Sequence, residues 1–371
     1  MTRPTRHKAA VIGRTGRGDY GHGLDLAVRD HPALKLVAVA DGDPAGLEAA
    51  TKRLGVDRGY RDYAEMLDRE KPRFVAVAPR WIDQHRPMIE ACAARGIHVF
   101  SEKPLAPSPA DGDAIADACH RSHTRLAIAF QTRYAPRFDR VKALIADGAI
   151  GTVLEVRGRG KEDRRGGGED LLVLGSHIVD LLRALLGPPS WCSARVLESG
   201  RPAAPADVRP GPEGLGPIVG DRIDATYGFA DTPALAFFAS ARPGPGDPPA
   251  GNRFGLEILG TKGAIRLGFG AQPPAFVLID PSWSTAGNSS AWRPIVADDP
   301  EPPFDLHAAN LAIVTDLIRS ADSDPPPRAG LAEAVGSIDM LLACHSSHIQ
   351  ERSVSLPLAD RRHPLAAWSG G

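Results

Sequence analysis

Three stretches carry residue types at spacings that chemistry requires. In GGGEDLLVLGSHIVD (166–180) a run of leucine, valine and isoleucine is broken by His177 and, three residues on, Asp180. A neutral imidazole can take or return a proton near neutral pH, and an acid one helical turn away can orient it. A histidine on an apolar helix can equally be a satisfied core residue. In HVFSEKPLA (98–106), Glu102, Lys103 and Pro104 follow an apolar run. Open α/β sheets bind ligands beyond the carboxyl ends of their strands, so a lysine there faces chemistry rather than bulk solvent. Lys-Pro is also ordinary loop composition, and the proline sets a tight turn, cis or trans.

The third stretch is GRTGRGDYGHG (13–23). Gly16, Gly18 and Gly21 form one GxGxxG frame. In a second frame Gly13 and Gly18 take the outer places and Thr15 the middle one. Glycine is needed in such a loop because the backbone must turn tightly and approach a pyrophosphate at a helix N-terminus. VAVAD (37–41) follows and ends in Asp41. An acid about 20 residues beyond the loop can accept both ribose hydroxyls of the adenosine and repels a 2′-phosphate. The expected cofactor is NAD, favoured over NADP.

These residues need elements to position them. KAAVIG (8–13), KLVAVA (35–40), FVAVA (74–78), HVFS (98–101) and LAIAF (126–130) read as strands, separated by segments with helical spacing such as PAGLEAATKRL and QHRPMIEACAARG. Strands alternating with helices imply βαβ crossovers and a doubly wound parallel sheet, a Rossmann-type α/β domain over 1–130. Beyond it the pattern changes. TVLEVRGRG, WCSARVLES, RIDATYGFA, ALAFFASAR, FGLEILGT and GAIRLGF read as strands, mostly with no helices between them, predicting a large antiparallel sheet in an α+β domain over 131–371. The histidine stretch reads as a helix over 169–186, stopped by Gly187-Pro188. Two closing helices, 305–320 and 329–350, are expected to pack back on the first domain. The Pro/Gly-rich pieces 201–217 and 242–249 read as exposed loops.

Composition narrows the class. With 371 residues and 43% hydrophobic content the chain can build two cores. Its 44 basic and 45 acidic residues nearly cancel and form no basic stripe, which argues against nucleic acid. Cys92, Cys119, Cys192 and Cys344 form no CxxC, so neither a zinc site nor a disulfide framework is expected. No apolar run approaches the ~20 residues of a membrane helix, and the expectation is a cytoplasmic protein. His307, His345 and His348 have no partners at metal-ligand spacing, and no metal is expected.

The residues together resemble the Gfo/Idh/MocA oxidoreductases. VFSEKPLA is similar to that family's EKP signature. The glycine loop, VAVAD, Arg133-Tyr134 in QTRYAPRF, GAIGTVLEV, the glycine-led helix with HxxD and the closing SLPL follow in the family's order. The resemblance implies hydride transfer between nicotinamide and a sugar-, inositol- or polyol-like substrate, with Lys103 and His177 facing the substrate and Asp180 in support. It also implies an open sheet that makes a homodimer or homotetramer. The lysine cation would stabilise a developing alkoxide, and the histidine would carry the proton; a desolvated Lys103 could instead serve as base. Glu102 and Lys103 would border the cofactor. VAPRWIDQH (77–85) stands where relatives carry a shorter TPxxxH-like loop, making Pro79, Trp81 and His85 cofactor-side candidates. Arg133 and Tyr134 are candidate substrate contacts. The charged run 161–170 reads as a solvated, mobile segment that closes over substrate, with Lys161 and Arg164 as contacts. One departure matters: many members carry an aspartate four residues before the histidine, and here that place is Val173. Asp170 lies seven before and could substitute, although helix capping is its expected job. Two alternatives stay open, the second given weight by this departure. One is an NAD-using glycoside-cleaving or epimerising enzyme without net redox change, and the other a non-catalytic dinucleotide-binding regulator.

Overall fold

Near-continuous apolar strands such as Ala9–Ile12 and Phe74–Val77 are buried along their whole length, as a parallel sheet covered on both faces requires. The computed structural model describes residues 6–244, 246, 253–269, 275–280, 292–295 and 305–368. The chain divides into two compact units. The first comprises Met1–Gln131, Pro212–Gly216 and Leu306–Val335; the second comprises Thr132–Gly211, Pro217–Asp305 and Gly336–Gly371.

In the first unit six strands, β1 (His7–Ile12), β2 (Leu34–Ala40), β3 (Gly59–Tyr60), β4 (Phe74–Val77), β5 (His98–Ser101) and β6 (Leu126–Ile128), form a parallel sheet in the order β3-β2-β1-β4-β5-β6. The crossovers are α1 (Leu24–Asp30), α2 (Pro44–Leu54), α3 (Tyr63–Glu70), α4 (His85–Ala93) and α5 (Pro109–Arg121). Local chemistry sets their ends. Asp43 caps α2 by accepting the Gly46 N–H at 2.7 Å, Pro44 opens its first turn, and Gly55 closes it in the left-handed conformation. The strand order reverses between β1 and β4, the switch point at which such sheets bind ligands. β1 ends at Ile12, so Gly13 belongs to the turn rather than to the strand.

Among its described residues the second unit is built on a ten-stranded sheet. Its central strand Val153–Arg159 pairs parallel with Leu235–Ala241 and antiparallel with Gly255–Gly260, and the remaining described pairings are antiparallel. Burial alternates along Leu235–Ala241, with Ala236, Phe238 and Ser240 inward, the period of a sheet with one covered face. The helix carrying His177 lies on that face: a Cβ on Gly158 would meet Ile178, and one on Gly175 would meet Phe238. Residues 201–217 are not wholly loop, since Arg201–Pro202 joins the large sheet and Arg209–Pro210 pairs with Pro217–Ile218. Most of 242–249 lies outside the described residues. Among the described residues no helix is long and apolar enough to cross a membrane.

Candidate functional site

The glycine loop leaves β1 with the Gly13 N–H on the Ala40 carbonyl at 2.9 Å and reaches α1 at Leu24. It folds back on itself at the Arg14–Asp19 bridge. Gly18 and Gly21 are the positions at which only glycine fits. Both have positive φ, +91° and +63°. A Cβ on Gly18 would fall on the backbone of Arg80 and Trp81, and one on Gly21 on the Ala78 carbonyl and the Glu102 carboxylate. The loop is thereby pressed against the ends of β4 and β5. Gly16, also at positive φ, stands at the exposed tip with open space where its Cβ would be.

Asp41, at the end of β2, is buried beneath this loop. Thr15 donates to it from both its backbone N–H and its hydroxyl, the latter at 2.7 Å, and the Tyr20 hydroxyl donates at 2.9 Å. Burial raises the Tyr20 phenol well above its ordinary pKa, and the neighbouring Asp41 charge adds to the effect. The Arg53 guanidinium lies 4.8 Å over the Tyr20 ring and pairs with buried Asp25. Tyr20 is a residue that glycine counting passes over; an aromatic inside such a loop was the available signal.

At the end of β5, Glu102 is fully buried and turned inward. Its Oε1 accepts from the His22 backbone at 2.8 Å and lies 2.8 Å from His22 Nδ1, while Oε2 accepts from the Lys103 backbone at 3.1 Å. Burial works to raise the Glu102 carboxyl, but the His22 bonds and the charges of His22 and Lys103 together outweigh it and hold the carboxyl low. Glu102 therefore fastens the glycine loop to the lysine turn. The Lys103–Pro104 peptide is cis, and Lys103 is 7% exposed. Asn310, from the helix Leu306–Asp322, secures the loop from another side, donating to the His22 carbonyl at 3.0 Å and accepting from Gln131 at 3.1 Å.

His85, a cofactor-side candidate from the sequence, is enclosed by backbone carbonyls. It is fully buried, with Nε2 2.7 Å from the Pro79 carbonyl and Nδ1 3.0 and 3.1 Å from the carbonyls of Pro104 and Leu105. It binds the β4 loop to the lysine turn. Pro79 contributes that carbonyl. Trp81 is partly exposed, with the Arg17 guanidinium 4.6 Å over its ring and Arg17 bonded to Asp83 at 2.6 Å.

In the second unit the expected single helix is composite. A turn Gly167–Asp170 leads into a π-helical turn, Leu171–Gly175, and then the α-helix Ser176–Leu186. The wider turn rotates Asp170 off the stripe of His177, so a seven-residue offset is not two regular turns here. Asp170 caps nothing, contrary to expectation. It is fully buried, and Oδ2 accepts from the Ser240 hydroxyl at 2.6 Å and the Glu162 N–H at 3.1 Å. Burial raises its pKa, against the opposing pull of the Ser240 bond.

His177 is 6% exposed, its ring centroid 4.8 Å from that of Phe269. Asp180 gives its carboxylate to Arg133: Nε lies 3.0 and 3.1 Å from Oδ1 and Oδ2, and Nη2 lies 2.6 Å from Oδ1 and 2.9 Å from the Asp180 carbonyl. The acid expected to orient the imidazole and the arginine expected to contact substrate are thus tied to each other in the core, with Tyr134 buried beside Arg133 in sequence. The run 161–170 is not a solvated segment. Glu162 is buried, accepting the Ala241 N–H at 2.9 Å and pairing with Arg159 at 2.8 Å. Gly166, Gly167 and Gly168 press on the backbones of Arg242, Gly220 and Val219. Within the run, Lys161 lies 3.5 Å from Asp163, and Arg164 is exposed.

The first unit fits a dinucleotide. Its glycine loop, Asp41 and Lys103 all lie at the carboxyl edge of the parallel sheet, and open space stands over Gly16. Fold and loop define the class, a Rossmann-fold nucleotide-binding protein. Residues 7–130 match the family model described as "Oxidoreductase family, NAD-binding Rossmann fold", and residues 138–266 match the "GFO/IDH/MocA C-terminal domain". The chain belongs to the Gfo/Idh/MocA oxidoreductase family. It is 33% identical over 213 residues to a D-apiose dehydrogenase of Paraburkholderia graminis, an alignment spanning 55% of this chain and 56% of that protein. To a levoglucosan dehydrogenase of Pseudarthrobacter phenanthrenivorans it is 28% identical over 287 residues, 68% of this chain and 72% of that one. Among solved structures, a levoglucosan dehydrogenase in complex with NADH and levoglucosan superposes with a TM-score of 0.72 at 22% identity, covering 95% of this chain and all of the other, which shows the fold.

Proposed function

We propose that the protein is an NAD-dependent dehydrogenase that oxidises a CH–OH group of a sugar, inositol or related polyol, or reduces the matching ketone. The observation that carries this reading is the carboxyl edge of the first unit's sheet, where a ribose-accepting acid, a close-packed glycine loop and Lys103 stand together. Relatives whose names specify apiose, levoglucosan and inositol support the substrate class. Asp41 favours NAD because a buried carboxylate repels a 2′-phosphate. The bound nicotinamide supplies the hydride acceptor or donor. Lys103 supplies a cation for the charge that develops on the substrate oxygen, and His177 takes up or returns the proton of the hydroxyl. The test mixes purified protein with NAD⁺ and a panel of aldoses, anhydrosugars and inositols and follows nicotinamide absorbance. Full activity in Lys103→Met or His177→Ala would refute the assignment.

One observation favours a second reading, a dinucleotide-binding regulator. Val173 replaces the usual acid, and Asp170 and Asp180 are both bonded elsewhere in the core. NADH binding without turnover on any member of the panel would establish that reading against the first.

A further inference from the structure

A carboxylate offers about four lone-pair directions to donors, and four protein donors already converge on Asp41. The Thr15 N–H is shared between the two oxygens, 3.2 Å from Oδ1 and 3.1 Å from Oδ2, and the Asp43 N–H lies 3.0 Å from Oδ1. The other two are hydroxyls, both on Oδ2: Thr15 Oγ1 at 2.7 Å and Tyr20 Oη at 2.9 Å. The backbone amides are fixed by the loop and by the turn into α2. The hydroxyls sit on side chains that can rotate. The Tyr20 ring also covers Gly13, whose Cβ, if present, would overlap it, and Arg53 lies over the ring.

A ribose diol approaching the acid that ends β2 brings two hydroxyl donors of its own. With the lone pairs filled, it enters only by displacing donors, and the two hydroxyls are the ones able to leave. We propose that the Thr15 and Tyr20 hydroxyls stand on Asp41 in the places of the two adenosine ribose hydroxyls, and that Tyr20 is a built-in competitor that must swing away for the dinucleotide to bind. Tyr20 then sets cofactor affinity from a position that contributes no attraction of its own. The inference rests on the dinucleotide-binding reading of the first unit. Apparent affinity falls by the fraction of molecules in the open arrangement, so removing the competitor tightens binding.

Tyr20→Phe keeps the ring over Gly13 and under Arg53 and deletes only the hydroxyl. NADH titration by fluorescence is expected to show binding roughly tenfold tighter than wild type, the change that a lost hydrogen bond to a charged group produces. The melting temperature of the free protein should fall, because Asp41 loses a donor. Stability and affinity therefore move in opposite directions, whereas a residue that merely props the loop would lower both. Thr15→Val should shift affinity in the same direction and carries the test if Tyr20→Phe does not fold. NADH binding that is unchanged or weaker in a folded variant would overturn the proposal while leaving the dinucleotide reading intact. If the wild type and both variants bind neither NADH nor NADPH at millimolar concentration, the dinucleotide reading fails and the proposal falls with it.

Discussion

The carboxyl edge of the parallel sheet and the histidine helix of the second unit use acids in opposite ways. At the sheet edge, Asp41 and Glu102 are buried yet serve as hubs, each collecting donors from the glycine loop and so fixing its path. Around the histidine helix, Asp180 and Asp170 each close on a partner far away in sequence, Arg133 and Ser240, and anchor the helix to its own unit. Asp41 lies near its loop in a readable motif, because one crossover helix joins them, whereas Glu102 reaches the same loop from 80 residues away. Acids that anchor a helix depend on distant strands and leave no spacing rule behind.

The strongest way to break this contrast is at the two groups proposed to do chemistry. Lys103→Met and His177→Ala should each lower kcat/KM by about 10²- to 10⁴-fold, the range for a positioned acid, base or charge stabiliser, read by nicotinamide absorbance on whichever substrate the panel reveals. A large loss in one variant only would confine the chemistry to one region.

Next comes the Arg133–Asp180 pair. Asp180→Asn or Arg133→Met breaks a buried ion pair and should cost about 3–5 kcal/mol in a denaturant titration. Replacing both by apolar residues should recover most of that loss. If each single change costs nothing, the pair is not an anchor.

Acid separates the regions as well. Burial pushes His345 down to about 3, with the neighbouring His363 and His348 adding to it, and burial pushes His363 to about 4. A histidine whose folded pKa lies below its unfolded value stabilises the fold fully above about 6.5, and that contribution is lost as pH falls towards the folded value. Glu102, held low, keeps its contribution until pH falls below the ordinary carboxyl range. The Leu365 N–H donates to His363 Nδ1, and the His22 N–H to Glu102. Hydrogen-exchange protection at Leu365 should therefore fall between pH 6.5 and 4 while that at His22 persists; simultaneous loss would erase the distinction.

The smallest effect lies inside the glycine loop. Gly16→Ala has open space but a left-handed backbone and should cost about 1–2 kcal/mol in stability, whereas Gly18→Ala also strikes the Arg80 backbone and should cost more. Equal costs would mean that the loop is not pressed on β4.

Much of the architecture was legible from the chain alone. The parallel sheet follows from five apolar runs alternating with helical spacing, and β3 escaped only because two residues cannot show a period. The antiparallel-rich sheet was readable in strands with no helix between them, apart from its parallel pair at the centre. The places of Asp41 and Lys103 were legible because each follows the end of a strand. The enclosure of His85 was not legible, because its i+6 offset from Pro79 says nothing about two carbonyls on the lysine turn. The π-turn was not legible either: seven residues make two turns of one face only at 3.6 residues per turn, and Leu171–Gly175 is wider. The charged run 161–170 looked solvated, but its ionic groups pair locally and its glycines let backbones touch.

The central strand of the second unit has a consequence for the order in which that unit forms. Arg222–Phe229 and Leu235–Ala241 make one hairpin, and Gly255–Gly260 and Gly263–Gly268 make another, each from neighbouring sequence. Val153–Arg159 fills the slot between the two hairpins, although it is made long before either. Loop closure over such separations is slow compared with hairpin formation. During synthesis that strand waits, unpaired on both edges, until the two hairpins arrive to close around it.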